Sequence, residues 1–82
     1  MADKHYFMWI KSQCPFCQKI QALAKENAIS HTVYVMDEDL VGLDKVKEHW
    51  DWQTVPLVTT YDGDHEVLIG GCDDFQKKLS LN

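Results

Sequence analysis

The chain has 82 residues, three cysteines and a net charge of −5, with thirteen acidic side chains against eight basic. That length holds one domain, so residues 1–82 are expected to form a single unit, and 45% hydrophobic residues suffice for one core. The acidic balance excludes the basic face that nucleic-acid binding requires, and no apolar run approaches the about eighteen residues needed to span a membrane.

Met1-Ala2-Asp3-Lys4-His5 shows no basic start followed by an apolar leader, so the cytoplasm is the expected compartment. Residues 6–10 are apolar at every position, the pattern of a central strand covered on both faces. Lys11-Ser12-Gln13 ends this strand, and Cys14-Pro15-Phe16-Cys17 follows at once. Phe16, Ile20, Leu23, Ala24 and Ala28 then keep close to the spacing of an amphipathic helix, with Pro15 in the first turn where a missing N–H costs nothing. Residues 32–36 are β-branched and aromatic and read as a second strand. A short helix over 42–50 places Leu43, Val46 and Trp50 on one side. Residues 56–61 form a third strand, Asp62-Gly63 a tight turn, and 66–69 the return strand of a hairpin. After Gly70-Gly71, a last helix carries Phe75 and Leu79 one turn apart.

The order β-α-β-α-β-β-α defines an α/β fold. A first crossover requires a parallel pair and the hairpin an antiparallel one, so the expected sheet is mixed, four-stranded and flanked by helices. Trp50 and Trp52 read as core or loop packing. His5, His31, His49 and His65 form no constellation.

Cys-x-x-Cys spacing fits either half a zinc site or a redox pair. Structural zinc wants four ligands, usually as two close pairs, and Cys72 with scattered histidines supplies no second pair. In the redox reading a thiolate attacks a disulfide, so the site must favour negative charge on one sulfur. Cys14 falls where strand gives way to helix, facing unpaired N–H groups and the positive end of the dipole. Lys11 adds a positive charge three residues earlier. Cys17 follows one turn on, on the same face, as the more buried resolving thiol. Cys72 reads as a semi-buried packing residue.

Three separated motifs, Lys-x-x-Cys-Pro-Phe-Cys at 11–17, Thr54-Val55-Pro56, and Gly70-Gly71-Cys72-Asp73-Asp74, stand in an order and spacing that resembles the glutaredoxins over essentially the whole chain. The resemblance implies a thioredoxin-like fold and a glutathione-dependent thiol–disulfide oxidoreductase acting on protein disulfides and glutathione mixed disulfides. It implies that Pro56 is cis and faces the dithiol, with the Val55 backbone pairing with a bound peptide. Gly71, Cys72 and Asp73 then hold the γ-glutamyl end of glutathione, with Asp73 also suited to capping the last helix. Lys11 and Gln53 would meet the glycyl carboxylate, and Phe16 would wall the site beside Thr54. Phe16 stands where the family more often has Tyr, and Gln53 where it often has Arg.

By the same resemblance the partners are glutathione and disulfide-bearing or glutathionylated proteins, ribonucleotide reductase among them. No metal is expected, and the chain is expected to be a monomer. Two alternatives share the motif. One is a redoxin reduced by thioredoxin reductase, against which the Gly-Gly-Cys-Asp-Asp segment speaks. The other is a glutathione-ligated [2Fe–2S] cluster carrier, whose specialised relatives usually lack the second cysteine and the proline.

Overall fold

The computed structural model describes residues 4–80; residues 1–3, part of the segment read for a leader, lie outside the described residues. Seven elements follow one another: β1 (Tyr6–Ile10), α1 (Pro15–Glu26), β2 (His31–Val35), α2 (Leu40–Trp50), β3 (Leu57–Asp62), β4 (His65–Gly70) and α3 (Cys72–Ser80). They form one sheet in the order β2-β1-β3-β4. β1 runs parallel to β2 and antiparallel to β3, and β4 returns antiparallel to β3 with a bulge at Val58/Thr59. This is the mixed, thioredoxin-like sheet that the element order requires.

The core lies between one face of the sheet and the helix pair α1 and α3. Tyr6, Met8 and Ile10 project from alternate positions of β1 into a cluster with Cys17, Ile20, Ala24, Val58, Cys72 and Phe75. Phe75 meets Tyr6 edge to face at 5.3 Å. The expectation that β1 is covered on both faces needs correcting, because Phe7 and Trp9 are only half-buried. A single helix serves that side: Val46, His49 and Trp50 of α2 line a cleft with Trp9. What α2 leaves open is covered by aromatic neighbours, with Trp9 stacked on Tyr34 at 5.2 Å and Phe7 edge-on to Tyr61 at 5.9 Å.

Two boundaries move for identifiable reasons. α2 starts two residues earlier than the sequence pattern suggests, because Asp39 caps it, Oδ1 accepting from the Gly42 N–H at 2.9 Å. β3 begins at Leu57 rather than Pro56, since proline has no N–H for the ladder.

Candidate active site

The short connection from β1 to α1 determines where the dithiol sits. Cys14 is the N-cap of α1, extended at φ −118° and ψ 114°, with Pro15 opening the helix. Its sulfur accepts from the Cys17 N–H at 3.3 Å, so a thiol occupies the place where a Ser or Asp oxygen would normally satisfy an unpaired amide. Cys14 is partly exposed, whereas Cys17, one turn further on, is wholly buried. Burial pushes the Cys17 thiol up to about 12, and its hydrogen bond with Cys14 acts in the same direction. The pair is therefore asymmetric, with an accessible sulfur at the surface and a thiol behind it that keeps its proton.

Val55–Pro56 is a cis peptide, and the Val55 carbonyl accepts from Cys14 Sγ at 3.8 Å. This contact joins the dithiol to a cavity of about 300 Å³ lined by Phe16, Trp52, Thr54, Val55, Pro56, Gly71, Cys72, Asp73 and Asp74. Most of the residues that the three motifs single out thus converge on one concave surface. Phe16 is exposed beside it. Lys11 lies on another flank, where it lines a second cavity of about 320 Å³ with Ser12, Gln13, Cys14, Asp37 and Leu40. Gln53 is exposed and lines neither cavity.

The start of α3 differs from the expectation in one respect. Asp73 is not the cap. The Gly71 carbonyl accepts the first helical bond from the Phe75 N–H at 3.0 Å, which makes Gly71 the N-cap. Asp74 reaches back to it, Oδ2 accepting from the Gly71 N–H at 3.1 Å, in the return half of a capping box. The signal was present as an acid three residues beyond the cap. Of the two glycines, Gly70 carries the stricter demand: its φ is +123°, and a Cβ there would strike the Asp74 carboxylate. A Cβ at Gly71 would meet the Pro56 carbonyl and Trp52 at ordinary contact distance, 3.6 Å.

Cys72 is buried, and that burial pushes its thiol up while the nearby Lys19 charge opposes the shift. Trp50 lines the α2 cleft, whereas Trp52 lines the cavity beside Phe16 and Pro56, a division that packing arguments alone did not make. The Trp52 Nε1–H is buried without a hydrogen-bond partner among the described residues. Two of the histidines serve local structure: His5 bridges Ser30 and Thr32 at 2.6 and 2.7 Å, and His31 Nδ1 lies 2.7 Å from the Ile29 carbonyl. Among the described residues no three His, Cys, Asp or Glu side chains converge as a metal site, and no helix is long and apolar enough to cross a membrane.

A partly exposed cysteine at a helix start, a buried partner one turn on and a cis-proline loop opposite define a dithiol site on a thioredoxin-like fold. Comparison with known proteins narrows the class. The glutaredoxin family model matches residues 5–66, and the chain belongs to the glutaredoxin family. Glutaredoxin-1 of Rhizophagus irregularis is 39% identical over 70 residues, covering 82% of this chain and 65% of that protein. The chain thus spans slightly less than two thirds of that relative's length. The holo form of glutaredoxin C1 from Populus tremula x tremuloides superposes with a TM-score of 0.74 at 29% identity, over 94% of this chain and 75% of that one. A buckwheat glutaredoxin, solved as a glutathione complex, shares the fold at a TM-score of 0.75 and 21% identity, over 94% and 69% of the respective chains.

Proposed function

We propose that the chain is a glutathione-dependent thiol–disulfide oxidoreductase in which Cys14 is the nucleophile and Cys17 the resolving thiol. The observation that carries this reading is the placement of an accessible Cys14 sulfur at the start of α1, beside the cavity shared by the Val55–Pro56 and Gly71–Asp74 segments. Membership of the glutaredoxin family supports it.

Cys14 as thiolate attacks one sulfur of a disulfide, forming a mixed disulfide and expelling the other sulfur as a thiolate. With a protein disulfide, Cys17 then attacks Cys14 Sγ, its proton passes to the departing protein thiolate, and Cys14–Cys17 is left oxidised. One glutathione reopens that bond to give a Cys14–glutathione disulfide, and a second releases Cys14 and leaves as glutathione disulfide. With a glutathionylated protein, Cys14 attacks the glutathione sulfur directly, and only the last step is needed.

Glutathione is read into the cavity with its γ-glutamyl carboxylate on the Cys72 and Asp73 amides and its ammonium on the Asp73 carboxylate. The buckwheat glutaredoxin–glutathione complex agrees with that choice of ligand.

The deciding experiment is a coupled assay with glutathione, glutathione reductase and a small glutathione mixed disulfide. Cys14→Ser should abolish turnover and Cys17→Ser should retain it. Loss of activity in both variants would remove the direct route from the proposal.

A further inference from the structure

The loop that carries Cys14, residues 11–14, is held from outside by one carboxylate. Ser12 donates its N–H to Asp37 Oδ1 at 2.9 Å and its hydroxyl to Asp37 Oδ2, while Gln18 Nε2 donates to the Ser12 carbonyl at 3.3 Å. Asp37 arrives there because the Met36 N–H donates to the Ile10 carbonyl at 2.9 Å, which carries the β1–β2 pairing past the end of β2. Both carboxylate oxygens therefore engage one residue, two positions from the reactive cysteine. The two Ser12 hydrogen bonds, with a smaller contribution from Lys11, hold the Asp37 carboxyl below its ordinary range, so it is charged wherever Cys14 works. The second cavity brings Lys11, Cys14 and Asp37 onto one surface, and it shares no lining residue with the first.

We infer that Asp37 is a positioning residue for Cys14: through Ser12 it fixes the loop that presents the sulfur, and its charge offsets the positive field of Lys11 there, making the thiol more selective against anionic partners. The inference rests on the reading of Cys14 as the reactive thiol, but not on glutathione as its partner. A carboxylate in this place lowers the attraction of the site for any anionic thiol or disulfide, and the effect weakens with salt because the groups are exposed.

The test is alkylation of the reduced full chain, followed by intact mass, with neutral iodoacetamide and anionic iodoacetate. Cys17 and Cys72 are buried, so the first adduct reports Cys14. Asp37→Asn keeps an oxygen acceptor for the Ser12 N–H and removes the charge. It should raise the iodoacetate-to-iodoacetamide rate ratio by about threefold, the scale of an exposed charge interaction, and added salt should shrink that rise. Asp37→Ala should raise the ratio similarly and also change the iodoacetamide rate, because the loop loses its tether. Ser12→Ala keeps the charge and one bond, so it should leave the ratio at the native value. A native ratio in Asp37→Asn, or a native iodoacetamide rate in a folded Asp37→Ala, overturns the inference. Failure of the coupled glutathione assay with these alkylation results intact would count against the proposed function and leave the role of Asp37 standing.

Discussion

Two helix starts meet at the site, and they solve the same capping problem in opposite ways. At α1 the acceptor for an unpaired amide is the Cys14 sulfur itself, so the capping group is also the proposed nucleophile. At α3 the cap is Gly71, which has no side chain, and Asp74 supplies the acceptor from within the first turn. Capping and chemistry are fused in one residue at α1. At α3 the two roles fall on neighbouring acids: Asp74 closes the cap as well as lining the cavity, whereas Asp73 lines the cavity without serving as the cap. Changes at α1 should therefore act mainly on activity, whereas at α3 stability and ligand binding should separate.

The largest expected effect falls on Gly70. Gly70→Ala forces a Cβ against Asp74 at a positive φ and should cost about 1–3 kcal/mol, against well under half of that for Gly71→Ala. Equal unfolding midpoints in urea for the two variants would erase the distinction between the glycines.

Next comes the pair of acids. Asp74→Ala removes the return bond to Gly71 and should lower stability by about 1 kcal/mol. Asp73→Ala should leave thermal unfolding nearly unchanged while raising the KM for glutathione severalfold. If the two variants exchanged these phenotypes, the division of labour at α3 would be wrong.

A pH experiment sharpens the other helix start. Cys17 is raised from an ordinary 9.0 to about 12 in the folded chain, so above about pH 9 the unfolded chain loses this proton while the folded one keeps it. Its contribution to stability is complete below pH 9 and disappears as pH climbs toward 12. Stability measured from pH 8 to 11 should fall less steeply in Cys17→Ala than in the parent. Parallel curves would contradict the buried, protonated state of Cys17.

The smallest effect is expected at Gln53, which is exposed and outside both cavities. Gln53→Arg adds a cation at the rim and should lower the KM for anionic glutathione by less than about threefold, as exposed charges do. An unchanged or higher KM would remove residue 53 from the ligand's surroundings.

Much of this architecture was legible along the chain because local rules agreed with one another. Helical spacing marked the helices, apolar and β-branched runs marked the strands, Asp62-Gly63 marked the hairpin, and the spacing of Cys14 and Cys17 marked a dithiol at a helix start. The errors were those of reach. The run from Tyr6 to Ile10 is uniformly apolar, yet only one of its faces is fully covered, since the number of helices on each side is not encoded in the strand. Asp73 and Asp74 are neighbours of one type, and only the backbone path through Gly70 decides which of them points back along the chain. Ser12 and Asp37 stand 25 residues apart, and no local pattern joins them.

By itself, then, the sequence determined the order of elements, the mixed sheet and which two sulfurs form the candidate dithiol, because these follow from patterning within a few turns of chain. Only the tertiary structure decided what surrounds those sulfurs: the Val55 carbonyl against Cys14, the burial that keeps Cys17 protonated, and the carboxylate that holds the loop carrying Cys14. Those properties arise from groups brought together by the β1–β2 and β1–β3 pairings, and burial and electrostatics depend on that proximity rather than on distance along the chain.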